Sequence, residues 1–205
     1  MDYKDKTRAY YEHRGADFGF DKPDYHNFTS RFLREDFGHF LHELQGSLVL
    51  DLGSGPGRDA FFFKRKGLLP VCVDISPAAI QFCKKADLQA CVAEGEHLPF
   101  LDGSFDGVWA CGFLNHFPND SVLPVAAEIN RVLKRKGVLF ANVGEGYHQG
   151  YLYDVWEEIR GPFLARHFDK DFREIISPYF EVVHFSRTLS EDGQTNELNY
   201  VCVKK

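Results

Sequence analysis

The chain is poor in methionine, with one among 205 residues, and in tryptophan, with two, whereas phenylalanine occurs twenty times. Its interior is therefore expected to be packed with rings rather than with flexible thioethers. The five cysteines, Cys72, Cys83, Cys91, Cys111 and Cys202, are odd in number and include no Cys-x-x-Cys pair. That argues against a disulfide frame or a thiolate zinc site: buried free thiols in a reducing compartment are expected, and no metal. Basic residues are not in excess either, since 24 Lys and Arg against 30 Asp and Glu give a net charge of −6. No overall positive field draws such a chain to nucleic acid or to an anionic membrane, so an RNA substrate would have to be met through a local patch. Long apolar runs are missing, and the N-terminus, Met1-Asp2-Tyr3-Lys4-Asp5-Lys6, is charged where a secretory signal would be apolar. A soluble, cytoplasmic protein, monomeric or homodimeric, is the expectation. The 44% apolar share and the length suit one domain with a full core.

The most informative segment present is Val49-Leu50-Asp51-Leu52-Gly53-Ser54-Gly55-Pro56-Gly57-Arg58-Asp59. An apolar run ends in a carboxylate, and three glycines follow at alternate positions where a strand should turn into a helix. Backbone without side chains can approach a ligand closely there, and the helix start offers free N–H groups and a positive dipole end. Asp51 attracts the opposite, a cationic or N–H-rich group. A ligand that joins an amino-acid zwitterion to a nucleoside meets both demands, and S-adenosylmethionine (SAM) is one.

Around this segment strand-like and helical runs alternate. Strands are expected at 48–52, 70–74, 90–93, 105–111, 137–143, 180–185 and 198–204, with helices at 60–66, 77–86, 122–133 and 170–177. Ser76-Pro77 is a cap residue followed by Pro at the first helical position. Such alternation yields a parallel sheet covered by helices on both faces, an α/β fold. The last two strands have no helix between them and read as an antiparallel hairpin around Asp192-Gly193. Residues 1–46 should be helical, with Phe32, Leu33, Phe37, Phe40, Leu41 and Leu44 forming an apolar stripe. Residues 144–169, rich in Gly, Tyr, Trp and Phe, stand apart as an insertion.

With these elements in order the chain resembles the class I SAM-dependent methyltransferases, most closely over residues 48–143. The resemblance implies a Rossmann-like three-layer sandwich whose seven-stranded sheet has the order 3-2-1-4-5-7-6, strand 7 being antiparallel. Asp51-Leu52-Gly53-Ser54-Gly55-Pro56-Gly57 matches the family's first motif and implies that the backbone around Gly53 and Gly55 passes beneath the methionine part of SAM, with Asp51 near its amino group. Ser54, Gly57 and Arg58 belong to the same implied contact set. Asp74 ends the second strand about 20 residues past the glycines, where a carboxylate accepts both ribose hydroxyls, and Ile75 would pack on adenine. Glu94-Gly95 stands where the family usually has Asp-Ala: the side chain would accept the adenine amino group through a longer arm, and Glu96 and His97 match a common pattern. The backbone of Cys111 should border the methionine moiety. Asn115 and His116 would open a helix beside the methyl group, with His116 a SAM contact, a wall of the acceptor pocket, a base, or a helix-packing residue.

Other residues carry weaker expectations. Cys111 lacks the Pro-Cys context of a methylating nucleophile and reads as a small thiol, and no Asn/Asp-Pro-Pro-aromatic run marks a base-amine methyltransferase. In Arg135-Lys136-Gly137 only the last residue of the family's Pro-Gly-Gly turn is kept. A base for an acceptor would come from His116, Glu145, Tyr147 or His148, none at a decisive spacing. Tyr10, Tyr11 and Arg14 could form a lid, with Tyr11 on the cofactor. Tyr147, Tyr151, Tyr153, Trp156 and Phe163 could wall a small-molecule acceptor pocket. Alternatives are an RNA or protein methyltransferase, a non-catalytic SAM-binding module, and an NAD(P)-dependent oxidoreductase. The last is opposed by Gly57 falling one position early for Gly-x-Gly-x-x-Gly and by the absence of a Tyr-x-x-x-Lys pair.

Overall fold

Burial on both faces explains why the strands of this chain read as near-continuous apolar runs. The computed structural model describes residues 2–14, 33–153, 160–190, 193 and 195–205. Along them run α1 (Tyr3–Arg14), α2 (Arg34–Glu43), β1 (Leu48–Leu52), α3 (Arg58–Arg65), β2 (Leu69–Asp74), α4 (Pro77–Lys85), β3 (Gln89–Val92) and β4 (Phe105–Ala110). A 3₁₀ turn (Leu114–His116) follows, then α5 (Asn119–Val132), β5 (Leu133–Gly144), β6 (His148–Tyr153), β7 (Arg160–Arg166), α6 (Asp169–Ile176), β8 (Phe180–Leu189) and β9 (Asn196–Lys204).

The main sheet has the order β3-β2-β1-β4-β5-β9-β8. The first five strands are parallel, and β9 runs antiparallel to both its neighbours. This is the expected order with the last two strands renumbered, because the insertion adds β6 and β7 as a separate antiparallel pair. Alternate residues of β1 supply the two cores. Leu50 and Leu52 face Val122, Ile129, Phe172 and Ile176 of α5 and α6, while Val49 faces Phe37, Phe40 and Phe63 of α2 and α3. Ala60, Ile80 and Cys83 continue the second layer under α4. Rings dominate that layer: Trp109 stacks on Phe140 with centroids 3.8 Å apart and receives the edges of Phe37, Phe40 and Phe63. Full burial of each such side chain contributes about 2–3 kcal/mol relative to exposure.

Local signals explain the element ends. Ser76 Oγ accepts from Ala79 N at 3.3 Å, with Pro following it, and so starts α4. Near the start of β5, where its pairing with β4 shifts register, the chain turns through Lys136 at φ +62°. A Cβ on the next residue, Gly137, would stand 2.9 Å from Leu133 Cδ2 and from the Lys134 carbonyl oxygen, so glycine is required there.

Some expectations need correction. Asn115 and His116 do not open a helix: they lie in the 3₁₀ turn, and α5 begins three residues beyond His116, after Pro118. Strand β8 continues past Phe185 to Leu189 although its end is polar, because Asn199 Nδ2 donates to Ser186 Oγ and Thr188 Oγ1 at 3.1 and 3.0 Å. Cys91 and Cys111 are half-buried, whereas Cys72, Cys83 and Cys202 are buried. Residues 15–32, Trp156 and Asp192 lie outside the described residues. No helix among the described residues is long and apolar enough to cross a membrane.

Candidate active site

The parallel strands end on one side of the sheet, and their carboxyl ends surround a cavity of about 330 Å³. The glycine loop is its floor. Gly53 N and Ser54 N donate to the Val73 carbonyl at 2.8 and 3.0 Å, which pins the loop to β2. Gly53 has φ +72°, and a Cβ on it would lie 2.7 Å from Phe113 Cδ2. Gly55, at φ +52°, and Gly112, at φ +66°, have nothing within 4 Å of a built Cβ, and both line the cavity. Side chains at those two positions would fill the space a ligand needs.

Asp74 stands beside this floor. Its Oδ2 accepts from Gly55 N and its Oδ1 from Ser76 N, both at 2.8 Å. Burial pushes the carboxyl above its ordinary value, while the N–H groups of Ser76, Gly55 and Ile75 pull the other way. Gly55 and Ser76 occupy one lone pair on each oxygen and Ile75 N–H also acts on the carboxyl, which leaves acceptor capacity for at least one further donor. Opposite lies Glu94-Gly95-Glu96, with Gly95 close against the Phe113 ring. Lys4 of α1 reaches across to Glu94 Oε2 at 2.9 Å and also pairs with Glu96, so an N-terminal helix closes this end.

At the β4 end the cavity meets Cys111, Gly112, Phe113, His116 and Phe117. His116 Nδ1 lies 2.9 Å from the Phe163 carbonyl oxygen, and Nε2 lies 3.0 Å from Tyr11 Oη. A carbonyl only accepts, so Nδ1 carries the proton and the Tyr11 hydroxyl donates to Nε2. Burial lowers the His116 pKa and raises that of Tyr11, which leaves a neutral phenol–imidazole pair. Burial also raises the Cys111 thiol pKa, which disfavours a thiolate.

Comparison with known proteins agrees with this geometry. The family profile described as a methyltransferase domain matches residues 50–141. An uncharacterised protein of Methanocaldococcus jannaschii is 33% identical over 164 residues, which span 78% of this chain and 69% of that protein. This chain belongs to the class I SAM-dependent methyltransferases. A chloroplastic methyltransferase of Arabidopsis thaliana is 30% identical over 153 residues, 68% of this chain and 39% of that longer protein. In fold, the methyltransferase is similar to the 1,6-didemethyltoxoflavin-N1-methyltransferase of Burkholderia thailandensis, crystallised with 1,6-didemethyltoxoflavin and S-adenosylhomocysteine. The TM-score is 0.73 at 21% identity, covering 99% of this chain and 89% of that one.

The methyltransferase brings most residues of the implied contact set around one cavity: Tyr11, Gly53, Gly55, Arg58, Asp74, Ile75, Glu94, Gly95, Glu96, Cys111 and His116 all line it. Three do not. The buried Asp51 carboxylate accepts Ala60 N at 3.0 Å and holds the start of α3 from behind. Ser54 is nearly buried beneath the loop, its Oγ 4.0 Å from Cys83 Sγ. Gly57 faces away, where a Cβ would meet Leu88 Cδ1 at 2.7 Å, so packing demands its glycine.

Three base candidates are also displaced. Glu145 takes Arg187 Nη2 at 2.8 Å and Asn196 Nδ2 at 2.7 Å, and Tyr147 is 93% exposed; neither lines the cavity, nor does His148. The insertion stands one layer further out than expected. Phe163 packs on Tyr3 of α1 with centroids 5.5 Å apart and Tyr151 packs on Phe163, so hairpin β6–β7 braces α1 rather than walling the cavity. The side chains of Arg14 and Tyr153 lie outside the described residues, and Tyr10 does not line the cavity but packs edge-on against Tyr11. Tyr3, Lys4 and Thr7 line the cavity without having been foreseen. Their signal was the spacing of Tyr3, Thr7 and Tyr11, four apart along one helical face.

Proposed function

We propose that this methyltransferase acts on a small molecule, and that SAM lies along the floor from Glu94 to Cys111 with its methyl group toward the space below Tyr11 and His116. The open faces of Gly55 and Gly112 leave room for the cofactor backbone, Asp74 offers acceptors to ribose hydroxyls, and Glu94 offers one to the adenine amino group. Bound SAM supplies a methyl group on a cationic sulfur, whose charge makes the carbon electrophilic. The protein's task is then to align the acceptor and exclude water. Tyr3, Thr7 and Tyr11 supply the exclusion, and α1 with its brace β6–β7 the rigidity.

The observation that carries the small-molecule reading is the cover itself. The cavity is at the small end of ligand pockets, which run from about 300 to 1,000 Å³, and α1 lies over it, tied down by Lys4, Thr7 and Tyr11. A folded macromolecule could reach the methyl group only by lifting that helix. The net charge of −6 gives RNA no general attraction. In the same reading His116 positions Tyr11, and the pair takes up an acceptor proton where the acceptor is a hydroxyl or an ammonium.

The test is release of S-adenosylhomocysteine by the purified chain given SAM and, in separate reactions, a low-molecular-mass metabolite fraction, total RNA and dephosphorylated protein extract. Turnover confined to the metabolite fraction supports the reading, and turnover confined to RNA or protein overturns it. Tight SAM binding without turnover in any fraction favours the binding-module alternative.

A further inference from the structure

A second cluster lies away from the cleft, where α2 crosses the edge of the sheet. Glu35 and His39 are one helical turn apart on α2 and so share a face. His184 faces them from β8. Its position depends on a bulge: Val182 pairs with Cys202 and His184 with Val201, which leaves Val183 as an extra residue. Val182 therefore packs with the α5 and α6 core, and His184 turns to the opposite face, the one Val201 shares with Phe37 and Phe40. Without the extra residue His184 would point away from α2.

We propose that Glu35, His39 and His184 form a binding site for a divalent transition metal ion, with Zn²⁺ the expected occupant, which clips α2 to β8. The candidate ligand atoms of the three all lie within 4.8 Å of one another. His184 Nε2 is buried, in a side chain 15% exposed, and has no well-aligned hydrogen bond. Asp36, whose side chain is 2% exposed, brings Oδ1 to 3.2 Å from that nitrogen and accepts the Ser186 hydroxyl at 2.7 Å. Glu35 and Asp36 set two carboxyl groups beside the two imidazoles, a donor set whose negative charge one divalent ion would offset. Two imidazole nitrogens and a carboxylate oxygen suit Zn²⁺ or Co²⁺ rather than Mg²⁺ or Ca²⁺.

Loading the site requires a small rearrangement. The His39 and His184 rings are stacked, with centroids 3.7 Å apart and planes 14° from parallel, so their lone pairs lie side by side. Zinc bonds of about 2.0–2.1 Å place tetrahedral ligand atoms about 3.4 Å apart. His39 and Glu35 are exposed, and rotation of their side chains converges them on the ion that His184 holds. None of the three lines the cofactor cavity, so the inference stands independently of the acceptor chemistry.

The experiment uses the full chain without an affinity tag, stripped with a chelator and dialysed against Co²⁺ or Zn²⁺. One ion per chain, visible cobalt absorption of a four-coordinate site, displacement of that absorption by Zn²⁺ and a raised melting temperature are expected. His39→Ala and His184→Ala should abolish the cobalt spectrum while still binding S-adenosylhomocysteine, and Glu35→Gln should weaken binding about tenfold. Should His184→Ala fail to fold, the two exposed positions carry the test. Absence of bound metal in the wild type, retention of it in His39→Ala and Glu35→Gln, or half an ion per chain would overturn the proposal.

Discussion

In the floor of the cleft, the groups that meet are near one another in sequence: Gly55 and Asp74 are 19 positions apart, Asp51 and Ala60 nine. In its cover they are remote. Lys4 reaches Glu94 across 90 positions, Tyr11 reaches His116 across 105, and Thr7 reaches Phe163 across 156. The floor is thus made by two consecutive strand–loop–helix units and backbone N–H groups, whereas the cover is assembled from side chains that meet only after the sheet is complete. Loop-closure entropy makes the second kind of contact the later and more easily broken one. Cofactor recognition and acceptor shielding therefore rest on separable parts of the molecule.

The comparison breaks if a cover variant harms SAM binding more than a floor variant does. The largest effect is expected from Asp74→Asn, which sets an amide NH₂ against one of the backbone N–H donors and removes the charge. SAM affinity measured by calorimetry should fall about 100-fold, about 2.7 kcal/mol, which is the cost of one strong hydrogen bond to a charged group. Gly53→Ala comes next: a side chain at positive φ costs about 1–2 kcal/mol, and Phe113 must also move. Urea unfolding should show a loss of about 2–3 kcal/mol.

Tyr11→Phe tests the cover. It strips His116 Nε2 of its donor and should cost about 1–2 kcal/mol in urea unfolding, with SAM affinity changed far less than in Asp74→Asn. The pH dependence sharpens the assignment. Because burial holds the folded His116 pKa below 6.5, the unfolded chain takes up a proton that the folded one refuses. Its contribution is complete above pH 6.5 and is lost as pH falls from there through the folded pKa. Measured stability should decline with acidification in that window, and His116→Gln, which still offers Tyr11 an acceptor, should remove that part of the slope. The smallest change is expected for Lys4→Ala. Its ion pairs with Glu94 and Glu96 are partly exposed, so the loss should be about 1 kcal/mol or less and should shrink further at high salt. A loss as large as that of Gly53→Ala would show that the cover is no weaker than the floor.

The same contrast explains how much was legible beforehand. The alternation of elements, the cap at Ser76 and the order of motifs from Asp51 to His116 were readable because each rests on periodicity or on local backbone chemistry. Some local motifs carry a second duty that periodicity does not show. Asp51 sits at the strand end as foreseen, yet it does not line the cavity and its Oδ2 accepts Ala60 N, and Gly57, at φ +88°, faces Leu88. Glu145 and Tyr147 looked available as bases because proximity to a strand end was the sole criterion. The ion pair to Arg187, 42 positions on, was invisible to it.

The amino-acid sequence by itself determined the α/β architecture, the family and the cleft floor, since apolar periodicity, glycine conformation and strand-end carboxylates act over a few residues. Only the tertiary structure decided that α1 covers the cavity, that Tyr11 and His116 meet, that hairpin β6–β7 braces the cover, and that a one-residue bulge turns His184 toward His39. Those arrangements depend on pairings and sheet register across most of the chain, where shifting one residue reverses the face on which a side chain lies.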